Sequence, residues 1–190
     1  MKMPATKTIY PIEYTEHGIR RTDGDNPQRG YIARDTIEPV YRSLAQAIHS
    51  PHANILDIGY GLGVTSDEFM NQGMCESHTI VELHPEVAEK AKNDFCEVEH
   101  VRVLEGDWLD VDYGQKFDAI LFDPTSTGYD HRLRAEDYED FSNPWLPDQA
   151  GVDKLKSIAN EGCLLGVLSF DCKRYDIFVY RRGLFHVIRG

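Results

Sequence analysis

The chain has 190 residues, 41% of them hydrophobic and 27% charged, and a formal net charge of −12. That length suits one domain with a real core. An acidic surface repels phosphate backbones, so a nucleic-acid substrate is disfavoured unless a basic patch forms locally. The candidate patches are small: Arg181, Arg182 and Arg189, or His131, Arg132 and Arg134. Four cysteines form no C-x-x-C pair, and there is neither a signal-peptide pattern nor an apolar run of membrane-spanning length. A reduced, cytoplasmic protein away from membranes is expected. His49 and His52 are separated by Pro51, which breaks helical spacing, and no metal site is expected.

Residues 1–34 are polar and turn-rich, with Gly24, Asn26, Pro27 and Gly30, but carry Tyr10, Tyr14 and Tyr31. Two readings stand for this segment: a loosely attached arm, or a lid over the site. A helix is predicted over 37–48, where Ile37, Val40, Tyr41, Leu44, Ala45 and Ile48 form one stripe. Asp35 is its expected N-cap, with Glu38 at N3 and Pro39 still in the first turn.

The stretch 54–69, NILDIGYGLGVTSDEF, organises the rest of the chain. An apolar strand ends in a turn bearing Gly59, Gly61 and Gly63, and a helix comes next, with Thr65 expected as N-cap and Glu68 as its capping-box partner. Strand, glycine turn and helix let a backbone approach a nucleotide closely, since glycine has no Cβ. A dinucleotide fingerprint would want Gly or Ala where Val64 stands, and a P-loop would want a Gly-Lys-Ser/Thr triplet that is absent. Asp57, at the end of the strand, would repel a pyrophosphate but suits a ligand with a cationic amino group.

Strands and helices then alternate. Strands are predicted at 78–83, 101–105, 117–122 and 163–170, and helices from Pro85 and over 151–160. Two short strands, 176–181 and 184–188, close the chain around an Arg182-Gly183 turn. The pattern is that of an α/β Rossmann-like sandwich, a mostly parallel sheet with a C-terminal antiparallel hairpin.

Asp57, Gly59, Gly61 and Gly63 match the D/E-x-G-x-G-x-G of motif I, and here the chain resembles the class I S-adenosylmethionine (SAM)-dependent methyltransferases. The resemblance covers nearly everything from Asp35 onward and implies a SAM-binding domain over 35–190 with SAM as cofactor. One departure is the short gap after the strand 163–170, where the family usually has a helix before its last pair of strands.

In such sheets the ligand lies beyond the C-terminal strand ends. Glu82 can there accept both ribose hydroxyls, with Leu83 and His84 following beside the adenine. The resemblance implies that Asp107 accepts the adenine amine, and Trp108 is either a stacking partner or simply buried. Asp123 ends a buried strand near where the SAM methyl would point. It can orient a nitrogen nucleophile and take its proton, with Glu38 or Asp35 as the second acid.

Locally, HVRVLEGDWLDV (100–111), FDAILFDPTS (117–126) and IEPVYRSLA (37–45) look like the guanidinoacetate and arginine N-methyltransferase group. The expected activity is SAM-dependent methylation of a small-molecule acceptor at a guanidino or amino nitrogen. An aminopropyltransferase using decarboxylated SAM is the alternative, but spermidine synthase-like enzymes carry an N-terminal β-domain that 34 residues are not expected to supply. A non-catalytic SAM-fold interaction protein is a third reading, opposed by the intact acidic and glycine set. Amino-methylation of a flipped base wants an aromatic where Ser126 stands. A homodimer stays open.

Overall fold

The computed structural model describes residues 9–22, 32–73, 75–122, 149–171, 174–181 and 184–189. Three strands open it: β1 (Ile12–Thr15), β2 (Gly18–Arg21) and β3 (Ile32–Ala33), forming an antiparallel sheet in the order β1-β2-β3. A seven-stranded sheet comes next, in the order β10-β9-β8-β7-β4-β5-β6. Its strands are β4 (Asn54–Ile58), β5 (Ser77–Glu82), β6 (Val101–Glu105), β7 (Phe117–Phe122), β8 (Ala159–Asp171), β9 (Arg174–Arg181) and β10 (Leu184–Arg189). The helices are α1 (Arg34–Ile48), α2 (Val64–Asn71), α3 (Pro85–Asp94) and α4 (Gln149–Ile158). Strands β6, β5, β4, β7 and β8 run parallel, β9 is antiparallel to β8, and β10 is antiparallel to β9.

The two-residue period of a strand sorts side chains onto two buried faces. Leu56, Ile58, Ile120 and Phe122 pack with Trp108, Tyr113, Leu155 and Ile158 on the α4 side. Ile55, Ala119 and Leu121 pack with Leu44, Ala45, Ile48 and Phe69 on the α1 and α2 side. Gly166 on β8 lets α1 come close, since a Cβ there would stand 2.8 Å from Leu44 Cδ1 and 3.2 Å from Ile48 Cγ2. No helix lies between β8 and β9, which only residues 172 and 173 separate, so the chain turns straight back into a meander.

Two local expectations are corrected. Helix α1 starts at Arg34, directly after β3, so Asp35 is a helical residue rather than the N-cap. Helix α2 starts at Val64 after Gly63 with φ 78°, and no side chain caps it. Thr65 is drawn instead into a hydrogen bond with Asp57, and Glu68, itself buried, is held by Arg42, Gln46 and Gln72. In the described part of the N-terminal segment, Ile12 and Ile19 are buried beside Tyr60, Leu62, Val64 and Val87.

Candidate functional site

Strand register assembles the site. Ile58 is paired with Val81 on one side and Phe122 on the other, and Glu82 is paired with Glu105. The carboxyl ends of β4, β5, β6 and β7 therefore share one edge. From them continue the glycine turn, Leu83, and Asp107 with Trp108, at the strand ends beyond which open α/β sheets hold their ligands. Asp123 itself, the 124–128 segment and the His131–Arg134 cluster lie outside the described residues.

Glu82 is the acidic side chain at this edge held by the most backbone donors among the described residues. It is 6% exposed, and its two oxygens accept from Tyr60 N (2.9 Å) and His84 N (2.7 Å). Burial pushes its pKa up, while the amides of His84, Tyr60 and Gly61 pull it back. The carboxylate is thus held against the glycine turn by backbone donors that fix its direction. Leu83, half-buried, follows it, and Gly106 N donates to Glu82 O (2.9 Å), tying the β6 end to the same edge.

Asp57 is placed differently from a surface acid. It is 0% exposed, and Oδ2 accepts hydroxyl hydrogen bonds from Thr65 (2.8 Å) and Ser66 (2.7 Å) at the start of α2. Behind it His78 is also fully buried, with Nε2 4.0 Å from Asp57 Oδ2. That spacing would make an ion pair of a protonated ring, but burial wins and pushes the imidazole pKa down to about 3. The ring is therefore neutral at pH 7, packed edge-on against Phe69 and Phe95.

Tyr60, between the first two glycines, was not singled out by sequence reasoning. Its ring is buried and its hydroxyl donates to Asp94 Oδ2 (2.5 Å) at the end of α3, where Lys90 also binds. Gly63 is required beside it, since a Cβ would come within 2.5 Å of the Tyr60 hydroxyl oxygen. A polar residue inside a glycine turn carries no sequence signal of such a tether.

Asp107 is 6% exposed and accepts from Leu109 N (2.8 Å), while its carbonyl accepts from Asp110 N and Val111 N. It shapes the turn after β6 with its carboxylate beside the site edge. Trp108 is buried in the core with its ring 5.0 Å edge-on from Phe122. His84 is 2% exposed and caps α3: Nδ1 accepts from Glu86 N (3.2 Å), so Nε2 carries the proton and donates to Tyr10 O (2.8 Å). Glu38 is not brought to the glycine turn by any described contact. Its Oε1 accepts from Arg42 Nε (3.0 Å) and Nη2 (2.6 Å), and Arg42 Nη1 goes on to Glu68 Oε2 (2.6 Å), stapling α1 to α2.

Residues 38–142 match the family described as ribosomal RNA adenine dimethylase, a stretch that contains every candidate residue named above from Glu38 onward. The chain belongs to that family. Family and fold together are those of the SAM-dependent methyltransferases. Curated relatives include a protein arginine N-methyltransferase 2 of Emericella nidulans, 30% identical over 67% of this chain and 29% of that protein. A protein arginine N-methyltransferase 2 of Candida glabrata is 37% identical over 42% of this chain and 21% of that protein. The chain thus spans less than a third of the length of these relatives. Among solved structures, the N-methyltransferase NodS from Bradyrhizobium japonicum WM9 superposes with a TM-score of 0.50 and 17% identity, covering 77% of this chain and 70% of that one. The likeness extends to NodS in complex with S-adenosyl-L-homocysteine (SAH), also with a TM-score of 0.50, and shows the fold.

Proposed function

We propose that the chain is a SAM-dependent N-methyltransferase whose acceptor is a guanidino nitrogen, of a small molecule first and of a protein arginine as the alternative source. The observation that carries the cofactor reading is Glu82, a buried acceptor pinned by three backbone amides beside a glycine turn with positive φ at Gly59, Gly61 and Gly63. Its acceptor chemistry fits a ribose, whose hydroxyls need acceptors, and does not fit a phosphate. In this reading Leu83 and Asp107 take the adenine, Trp108 supports them from the core, and Asp57 holds the turn in shape through Thr65 and Ser66.

Bound SAM supplies a methyl group on a sulfonium, whose sulfur departs as a neutral thioether, so alignment of the acceptor contributes most. Asp123, next in the chain after the β7 residue Phe122, would orient the acceptor nitrogen and receive the proton that the nitrogen sheds. Glu38 is the second acid. Its Oε1 is engaged by Arg42, so it would serve an acceptor only on release of that pair, and Asp35 on the same helix is the other candidate. The names of the relatives, protein arginine N-methyltransferase 2, support the guanidino nitrogen.

Adenine in RNA is the second reading, favoured by the family description and opposed by the net charge of −12. The test is transfer of labelled methyl from SAM to guanidinoacetate, free arginine, an arginine peptide, a primary amine and an adenine-rich RNA. Label in a guanidino compound, abolished by Asp123→Asn, supports the proposal. Label only in RNA overturns it. An aminopropyl product from decarboxylated SAM would move the chain to polyamine chemistry.

A further inference from the structure

The N-terminal hairpin brings one aromatic side chain to the glycine turn. Along β1, Ile12 is buried, Glu13 faces Arg20 on β2 (2.7 Å), and Tyr14 returns to the Ile12 side. The Tyr14 hydroxyl donates toward Gly61 O at 3.5 Å, and Lys90 Nζ lies 5.9 Å from the ring centroid. Burial and the carboxylates of Glu82, Asp94 and Glu86 all raise the phenol pKa, so the hydroxyl stays protonated. The strand is pinned just upstream, where Tyr10 O accepts from His84. Docking of the hairpin is already provided by Ile12 and Ile19, which are 7% and 0% exposed, whereas Tyr14 keeps 37% of its surface open.

A donor next to Glu82 has a chemical use. A ribose hydroxyl both donates and accepts. Glu82 can only accept, so a second protein group must donate for the hydroxyl to be fully paired. The 3.5 Å contact with Gly61 is long for a hydroxyl, and a better acceptor would replace it.

We propose that Tyr14 is a cofactor-contacting residue: its phenol forms a wall of the adenosine pocket beside Glu82, and its hydroxyl donates to a ribose oxygen whose proton Glu82 accepts. The proposal rests on the SAM reading of the site and adds to it a residue from outside the nucleotide-binding fold. It also gives residues 9–22 a reason to sit where they do, as part of the pocket rather than as an appendage.

The test is calorimetric titration of the full chain, wild type, Tyr14→Phe and Tyr14→Ala, with SAH, adenosine and 2′,3′-dideoxyadenosine, with melting temperatures checking the fold. Tyr14→Ala should weaken SAH and adenosine by about tenfold or more. Tyr14→Phe should weaken adenosine by roughly three- to tenfold and leave dideoxyadenosine unchanged, because only the former has the hydroxyl that Tyr14 meets. If Tyr14→Phe weakens both nucleosides alike, the tyrosine merely docks the hairpin and the proposal is overturned. If the wild type binds SAH and both variants match it for SAH and adenosine, the proposal falls while the cofactor site stands. Failure of the wild type to bind SAH would overturn the cofactor reading and the proposal with it.

Discussion

The Asp57 carboxylate faces two hydroxyls and an imidazole inside the protein, and solvent nowhere. The hydroxyl donors at the start of α2 converge on it, and they in turn fix where the glycine turn ends. Thr65→Val removes one of those donors and should cost about 1–3 kcal/mol in urea unfolding. SAH affinity should fall in parallel, since the turn loses its anchor; unchanged affinity would separate the turn from the site. His78 gives this corner a pH signature. With a folded pKa of about 3, below the unfolded value of roughly 6.5, the ring takes up a proton on unfolding throughout that window. Its contribution is therefore complete above the unfolded pKa and lost as pH falls toward 3, at up to about 1.4 kcal/mol per pH unit. Denaturant midpoints measured between pH 7 and pH 4 should fall, and His78→Leu should flatten that dependence. A wild-type profile as flat as that of the variant would contradict the assignment.

At the scale of elements, α1 approaches β8 closely because a glycine lies beneath it. Leu44 and Ile48 are fully buried there, so a side chain at 166 must displace them. Gly166→Val should lower stability by about 1–3 kcal/mol, read as a drop in melting temperature, without altering SAH affinity at temperatures where the chain is folded. Gly63→Ala is different in kind. It strains a backbone with φ 78° and drives a Cβ into the Tyr60 ring, so it should break the Tyr60–Asp94 tether and lower cofactor affinity as well as stability.

The elements also show what a sequence discloses. Strand β7 runs over 117–122 as its apolar pattern predicts, because a central strand buried on both faces draws on Phe, Ala, Ile and Leu, whereas β6, over 101–105 at the sheet's edge, sets half-buried Val101, Val103 and Leu104 among exposed Arg102 and Glu105. The N-terminal sheet was not legible. Its strands are short, half polar and stabilised by Ile12 and Ile19 reaching a neighbour distant in sequence, so their local pattern is weak. The α2 cap misleads for a related reason. Thr65 and Glu68 satisfy a local capping pattern, but a buried carboxylate and an arginine from α1 compete for them and win. That Glu82 and Asp107 lie at or just beyond strand ends was readable, because the strand pattern alone sets that position. The tasks of Tyr60 and Tyr14 depend on partners 34 and 47 residues away, which no spacing rule reports.

For the molecule as a whole, one edge of the sheet carries the glycine turn, Glu82 and Asp107, with the N-terminal hairpin against the same turn through Tyr14 and against α3 through His84. A ligand bound only by the folded chain at that edge must stabilise all of it. SAH at a hundredfold excess over its dissociation constant should add about 2.7 kcal/mol to the unfolding free energy and raise the melting temperature. The protection should extend to amide exchange in residues 12–21 as well as in β4 and β5. The most direct measurement is calorimetric titration of SAH into the wild type and Glu82→Gln, with NAD and decarboxylated SAM as controls. Saturable binding of one SAH per chain is expected, weakened about tenfold or more by Glu82→Gln, with weaker binding of decarboxylated SAM and none of NAD. Equal affinity in the two proteins, or a preference for NAD, would contradict a SAM site built on Glu82.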